Sequence, residues 1–140
     1  MTVDFVDANI LLYAYDVAAG EKHEVASALV DRLWRERRGA FSVQVLQEFY
    51  VSATRKIAKT MGPDVAVDTL KNLVRWRVHS PLPDDVIAAA TLSSRHRLSF
   101  WDAMIVRSAA ELRCDTLWTE ELNDGQVIEG VRVANPFAHT

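Results

Sequence analysis

The stretch VDFVDANILLYAYD, residues 3–16, decides the fold and contains an unexpected charge. Its first residues predict a buried strand, and the apolar residues that follow predict a helix. Asp7 lies where the two segments meet. A buried carboxylate is costly unless it is paired, hydrogen-bonded or bound to a cation, so Asp7 requires a partner from elsewhere in the chain.

The composition, with 49% hydrophobic and 25% charged residues, predicts one globular domain that spans residues 1–140. Cys114 is the single cysteine, which excludes an intrachain disulfide. The N-terminus lacks the basic and apolar regions of a secretory signal, and no apolar run approaches the roughly 18 residues of a membrane span, so we expect a cytoplasmic protein. A net charge of −3 argues against broad, sequence-independent binding to nucleic acid.

Strand-like and helical segments alternate along the chain. This alternation predicts right-handed crossovers and a mainly parallel sheet with helices on both faces, so the expected fold class is α/β, a three-layer α/β/α sandwich. The predicted strands are residues 2–7, 39–42, 78–82, 114–119 and 131–137. The predicted helices after the first are residues 23–37, 43–58, 64–76, 84–97 and 101–112.

Four acidic residues follow a predicted strand or lie near the start of a helix: Asp7, Glu48, Asp102 and Glu121. In a parallel sheet, such positions meet at the edge formed by the carboxyl ends of the strands. Clustered carboxylates repel one another, raise one another's pKa values and create a site for a hard cation. Mg²⁺ prefers oxygen ligands, makes a bound water easier to deprotonate and neutralises charge on phosphoryl oxygens, as hydrolysis of a phosphodiester requires.

Five segments in order carry a resemblance to a known family: VDANILLYA, LQEFY, FWDAMIV, LWTEEL and GVRVANPF. By these segments the chain resembles the PIN domain and, within it, the VapC-type toxin ribonucleases of type II toxin–antitoxin pairs. The resemblance implies that Asp7, Glu48, Asp102 and Glu121 are the catalytic, metal-binding acids. It also implies that Asn9 and Thr119 support these ligands through hydrogen bonds.

The fourth acid departs from the family pattern, in which it is usually an aspartate. Here the segment TEEL offers Glu120 and Glu121, and Asp124 follows closely. We assign the role to Glu121 and keep Asp124 as the alternative. Asp102 has a second interpretation that is compatible with the first, because Ser99 and Asp102 fit a capping box.

The resemblance implies an Mg²⁺-dependent endoribonuclease, with Mn²⁺ as a second suitable ion, and tRNA or ribosomal RNA as targets. It also implies a homodimer and a cognate antitoxin whose C-terminal segment blocks the acidic groove. A different class of function is a catalytically inactive adaptor of the same fold that binds RNA or protein. An aspartyl-phosphate receiver or phosphatase is excluded because the segment DAN lacks its nucleophile pattern.

Basic and aromatic residues outside the acid set favour simpler interpretations. The cluster RLWRERR at 32–38 is best explained as a solvated helix end, with RNA contact as the alternative. Basic segments at 54–56 and 93–97 are better candidates to hold phosphates near the acids. The four tryptophans, at 34, 76, 101 and 118, are expected as core or interface anchors. The histidines, at 23, 79, 96 and 139, lack the spacing of a transition-metal site.

Overall fold

The computed structural model describes residues 2–138, which form six strands and six α-helices. The strands are β1 (Asp4–Val6), β2 (Gly39–Ser42), β3 (Arg77–His79), β4 (Thr116–Trp118), β5 (Val127–Ile128) and β6 (Val131–Ala134). The helices are α1 (Ala8–Tyr15), α2 (Glu21–Glu36), α3 (Val43–Arg55), α4 (Pro63–Leu73), α5 (Pro83–His96) and α6 (Phe100–Glu111), with a short 3-10 helix at Val17–Ala19. His139 lies outside the described residues.

The strands form one sheet in the order β3-β2-β1-β4-β6-β5. All neighbouring strands in it are parallel except β5 and β6, which form an antiparallel hairpin. Both β1 and β2 are buried along their whole length, as expected when helices cover both faces of a parallel sheet. The prediction of a three-layer α/β/α fold with a mainly parallel sheet is confirmed.

Side-chain caps fix where three helices begin. Asp7 caps α1, and the hydroxyl of Ser42, the last residue of β2, accepts a 3.3 Å hydrogen bond from the Val45 N–H in α3. Ser99 caps α6 by accepting a 3.1 Å hydrogen bond from the Asp102 N–H. Such caps satisfy N–H groups that have no partner within the helix. The three caps therefore place Asp7 and Asp102 at helix starts, and Glu48 more than one turn after the start of α3.

The core under these helix starts consists of large apolar side chains that are almost completely buried. Phe5 and Phe41 come from the sheet, Ile10 and Leu11 from α1, and Phe49 from α3. Burial of one such side chain stabilises the fold by about 1.5–3 kcal/mol. These side chains belong to one hydrophobic core, so the helix starts that carry the acids pack against it.

The structure differs from the prediction in the bounds of several elements and in one additional strand. The third strand is Arg77–His79 rather than 78–82, because Pro81 and Pro83 cannot donate to a strand ladder and α5 begins at Pro83. Helix α3 ends at Arg55 rather than at residue 58. The β5–β6 hairpin was not predicted, because its turn is Glu129-Gly130, with φ of 53° and 80°, rather than the Asn-Gly pair that marks such turns.

Between residues 2 and 138, no helix combines the length and the apolar character that crossing a membrane requires.

Candidate metal centre

Asp7 lies between the end of β1 and the start of α1, and only 5% of it is exposed. Its Oδ1 accepts a 2.7 Å hydrogen bond from the Ala8 N–H, and its Oδ2 accepts a 2.8 Å hydrogen bond from the Thr119 hydroxyl. The pKa of Asp7 is raised to about 7. Burial is the largest cause, the charges of Glu121 and Glu48 also raise the pKa, and the two hydrogen bonds lower it only in part. Two oriented hydrogen bonds therefore do not compensate for the burial of this charge, and a cation would.

Thr119 connects Asp7 to the fourth acid. While its hydroxyl donates to Asp7, the same oxygen accepts a 3.1 Å hydrogen bond from the Glu121 N–H. The Thr119 N–H is fixed by the Ala134 carbonyl at 3.0 Å, which ties this segment to β6. The end of β4 thus holds Glu121 beside Asp7, and the supporting hydrogen bond expected of Thr119 is present.

Glu121 is influenced by the other acids of the set. Partial burial raises the pKa of Glu121, the Asn9 side chain lowers it, and the charges of Asp102 and Glu48 raise it again. Since Glu121 also acts on the pKa of Asp7, all four predicted acids interact electrostatically at one edge of the sheet. The fold therefore brings together acids that are up to 114 positions apart in the chain.

Glu48 and Asp102 are linked by a residue that the sequence analysis missed. The Gln44 side-chain amide donates a 2.7 Å hydrogen bond to Glu48 Oε1 and a 3.2 Å hydrogen bond to the Trp101 carbonyl. This amide bridges α3 to the first turn of α6, next to Asp102. Its only signal in the sequence is its position four residues before Glu48, a spacing that places two side chains on one helix face.

Asn9 provides the test of whether a metal ion fits. Among the described residues, its side-chain oxygen and nitrogen are buried and form no hydrogen bond of normal geometry, and its only polar interaction is a weak one with the Glu121 carboxylate, which lowers the pKa of Glu121. A buried amide oxygen that no donor satisfies is unfavourable, and such an oxygen can bind a hard cation or accept a hydrogen bond from a water bound to that cation. Carboxylate and amide oxygens, without cysteine or histidine, form a donor set that fits Mg²⁺ or Mn²⁺.

Within residues 2–138, no three of the four acids bring their oxygens within 4.8 Å of one another. Like charges repel at short range, so an open arrangement is expected of carboxylates without a cation between them. Mg²⁺ tolerates this spacing because it retains several waters and is held directly by only one or two carboxylates. The cavity beside the acids measures about 510 Å³ and is lined by Glu48, Glu121 and Lys56 among others. Lys56 belongs to the basic segment that was expected to hold phosphates.

The two other candidates for the fourth acid have different partners. Glu120 accepts hydrogen bonds from Lys22 Nζ at 2.7 Å and from the Tyr13 hydroxyl at 2.6 Å. Burial acts to raise the pKa of Glu120, but these two hydrogen bonds outweigh it, and the pKa is lowered. Asp124 Oδ1 accepts a 2.8 Å hydrogen bond from the Asn135 N–H, which fixes the loop after β4. The geometry therefore favours Glu121 over both.

One compact group of metal-ligand types does occur elsewhere: ligand atoms of His79, Asp85 and Glu111 lie within 4.8 Å of one another. Sequence spacing did not reveal it, because β3, α5 and α6 each contribute one residue. Arg107 donates to Asp85 at 2.8 Å and pairs with Glu111 at 2.6 Å, so both carboxylates already have a guanidinium partner. The group is therefore best described as an ion-pair network that joins three elements.

Comparisons with known proteins agree with this geometry. The sequence model of the PIN domain matches residues 5–123. No curated protein sequence matches the chain. Among solved structures, a toxin–antitoxin complex from Klebsiella pneumoniae is similar, with a TM-score of 0.72, 21% identity, and coverage of 96% of this chain and 98% of that one.

Two further structures share the fold. The Mycobacterium tuberculosis toxin VapC20, described as cleaving the sarcin–ricin loop, has a TM-score of 0.63 and 21% identity, and covers 81% of this chain and 86% of its own. DNA-bound VapBC from Salmonella typhimurium has a TM-score of 0.65 and 18% identity, with coverage of 97% and 99%.

Proposed function

Because the chain belongs to the PIN domain family, we propose that it is a metal-dependent endoribonuclease, with Mg²⁺ as its ion and Mn²⁺ as a substitute. The observation that carries the proposal is the buried Asp7 carboxylate, which stays under-compensated although both of its oxygens accept hydrogen bonds. Glu48, Asp102 and Glu121 complete the set of proposed ligands. Asn9 and Thr119 act in support, and Asp124 has a structural role in its loop.

The chain's own residues supply orientation and proton transfer. Thr119 and the Ala8 N–H hold the Asp7 carboxylate in a single orientation. Glu121, whose backbone N–H is held by the Thr119 hydroxyl, lies beside Asp7, where its carboxylate can accept a proton from an attacking water. A bound divalent ion supplies the remaining chemistry, because it acidifies that water and stabilises charge on the phosphoryl oxygens.

We further propose that the protein is the toxin of a toxin–antitoxin pair and acts in the cytoplasm on a structured RNA such as tRNA or ribosomal RNA. Structures of toxin–antitoxin complexes are among its structural relatives, which supports an antitoxin partner. A pocket of carboxylates without a cation has unmet negative charge. An arginine of the antitoxin would pair with it through a planar, bidentate contact.

The proposed homodimer has a candidate surface on α5. Val86 and Ile87 are 46% and 67% exposed, and together with Ala90 they line a shallow depression. Exposed apolar patches of this kind are typical of protein interfaces. Trp101, at the start of α6 beside Asp102, is a second large apolar side chain that is mostly exposed.

The proposal is tested by mapping RNA ends after induced expression of the wild type and of Asp7→Asn. We expect new, discrete 5′ ends in the wild type alone. An Asp7→Asn protein that folds and generates the same ends would contradict the assignment. A purified wild-type protein that binds RNA but never cleaves it with Mg²⁺ or Mn²⁺ would identify the inactive adaptor instead.

A further inference from the structure

A basic cavity of about 540 Å³ lies at the edge of the sheet opposite to the acids. It is lined by Gly39 and Arg77, the first residues of β2 and β3, whereas the acids follow the carboxyl ends of the strands. The cavity is therefore separate from the candidate metal centre. Its other principal lining residues are Trp34, Trp76, Arg35, Arg37 and Arg75.

Three of the four arginines in this cavity have no carboxylate partner among residues 2–138. Of its four arginines, Arg35 pairs with Asp31 at 3.0 Å. Within residues 2–138, the side chains of Arg37, Arg75 and Arg77 form no ion pair with a carboxylate, and no acidic residue lines the cavity. The chain as a whole carries a charge of −3, so this concentration of guanidinium groups does not follow from composition. Guanidinium groups that converge without carboxylates are suited to bind phosphate.

An exposed indole lies among these guanidinium groups on a fixed support. Trp34 is 44% exposed and stacks on Trp76, with ring centroids 5.8 Å apart. Trp76 in turn stacks on the buried Phe41 at 4.5 Å. A Cβ at Gly39 would lie 1.7 Å from the Trp76 ring, so only glycine permits this close approach of β2. The Arg75 guanidinium lies over the Trp34 ring, 5.8 Å from its centroid, so a base that stacks on this face would displace the guanidinium toward the adjacent phosphate.

We propose that this cavity binds a single-stranded segment of RNA, with one base stacked on Trp34 and the adjacent phosphates held by Arg37, Arg75 and Arg77. An aromatic ring beside unpaired guanidinium groups is the combination that binds single-stranded nucleic acid. An acidic peptide would use the charges but not the exposed ring. The inference rests on the proposed function in one respect, that RNA is the substrate, and it adds a binding site remote from the cleavage site.

The first test measures the affinity for a fluorescent single-stranded RNA of about 12 nucleotides, a length within the range of such sites, by anisotropy in EDTA. The variant Arg75→Gln/Arg77→Gln is compared with Arg113→Gln/Arg132→Gln, which removes the same charge from exposed positions outside the cavity. We expect weaker binding in the first variant alone. For this variant, the slope of log K against log salt concentration should also become shallower by about 1.4, which is about 0.7 for each lost phosphate contact.

The second test separates stacking from charge. Trp34→Ala should weaken RNA binding by roughly 5- to 150-fold, the value of one base–aromatic stack. Trp34→Phe should retain most of the affinity, because it keeps an aromatic face. Thermal melting of each variant shows whether the stack on Trp76 is also needed for folding, and Trp34→Phe keeps the test valid if Trp34→Ala does not fold.

Three results would overturn the inference. The first is unchanged RNA affinity in Arg75→Gln/Arg77→Gln and in Trp34→Ala. The second is an equal loss of RNA affinity in the Arg113→Gln/Arg132→Gln control. The third is a Glu-rich peptide that competes with RNA and loses as much affinity as RNA does in Trp34→Ala. Cleavage with Mg²⁺ is measured on the same preparations. If the wild type does not cleave RNA but the cavity variants lose binding, the proposed function is wrong and this inference stands. If cleavage occurs and binding is unchanged, only this inference is wrong.

Discussion

The Thr119 hydroxyl donates a 2.8 Å hydrogen bond to Asp7 Oδ2 across 112 positions of the chain. It links the end of β4 to the end of β1, and its oxygen also holds the backbone of Glu121. Thr119 is fully buried, so bulk water cannot take the place of these hydrogen bonds if the hydroxyl is removed. Two of the proposed metal ligands thus depend on one side chain.

Thr119→Val removes this hydroxyl and keeps the shape of the side chain. We expect RNA cleavage to fall by about 10- to 100-fold, as is typical when a residue that orients a metal ligand is lost. The rising limb of the pH–rate profile should also shift to higher pH, because the hydrogen bond lowers the pKa of Asp7. Thr116→Val, a buried change on the same strand, is the matched control and should leave the profile in place.

The pH dependence of stability reports on Asp7 directly. The folded, metal-free protein holds this proton up to a pKa of about 7, against an ordinary value of 3.8, so the unfolded chain releases it first as pH rises. Stability is therefore lost between about pH 4 and 7, by on the order of 4 kcal/mol from this group.

Asp7→Asn lacks this titration. In EDTA we expect it to match the wild type at about pH 4 and to exceed it by a growing margin up to about pH 8, as measured by denaturant unfolding. Other carboxylates titrate in both proteins, so the difference in free energy of unfolding isolates Asp7. A difference that stays constant from pH 5 to 8 would show that Asp7 has an ordinary pKa.

The fourth acid is decided by comparing Glu121→Gln with Asp124→Asn. Both changes remove a charge and keep the shape of the side chain. We expect Glu121→Gln to reduce cleavage by roughly 10- to 100-fold and Asp124→Asn to have little effect, since an amide oxygen can still accept the hydrogen bond from Asn135. The reverse order in single-turnover assays would transfer the role to Asp124.

Metal identity follows from the oxygen donor set. Mg²⁺ and Mn²⁺ should raise the melting temperature and support cleavage, whereas Ca²⁺ should raise it without turnover because it accepts looser geometry. Chelation should stop cleavage reversibly. Full activity in excess EDTA would point to a metal-independent ribonuclease.

The sequence was sufficient for features set by local pattern and topology. Asp7, Glu48 and Asp102 follow from strand order and helix starts, because the carboxyl ends of parallel strands share one edge. The different partners of Glu120, Glu121 and Asp124, by contrast, are visible only in the structure. Glu120 is occupied by Lys22, which is 98 positions away, and no local rule predicts such a contact.

The surroundings of Trp34 were not predicted from the sequence, because they depend on long-range packing. The helix cluster around Trp34 was expected to be a solvated face. Its indole instead stacks on Trp76, which follows α4. Only the order of strands places β2 and β3 side by side and so brings these two rings together.

The central claim is that Asp7 holds a divalent ion, and calorimetric titration of Mn²⁺ into metal-free protein tests it most directly. Asp4→Asn is the matched control, because Asp4 is as buried as Asp7 but lies at the first residue of β1, where its carboxylate accepts a hydrogen bond from the Trp118 indole N–H. We predict that the wild type and Asp4→Asn bind Mn²⁺ with similar affinity, whereas folded Asp7→Asn binds it at least roughly 10-fold more weakly. Equal Mn²⁺ affinity in all three proteins would contradict the account.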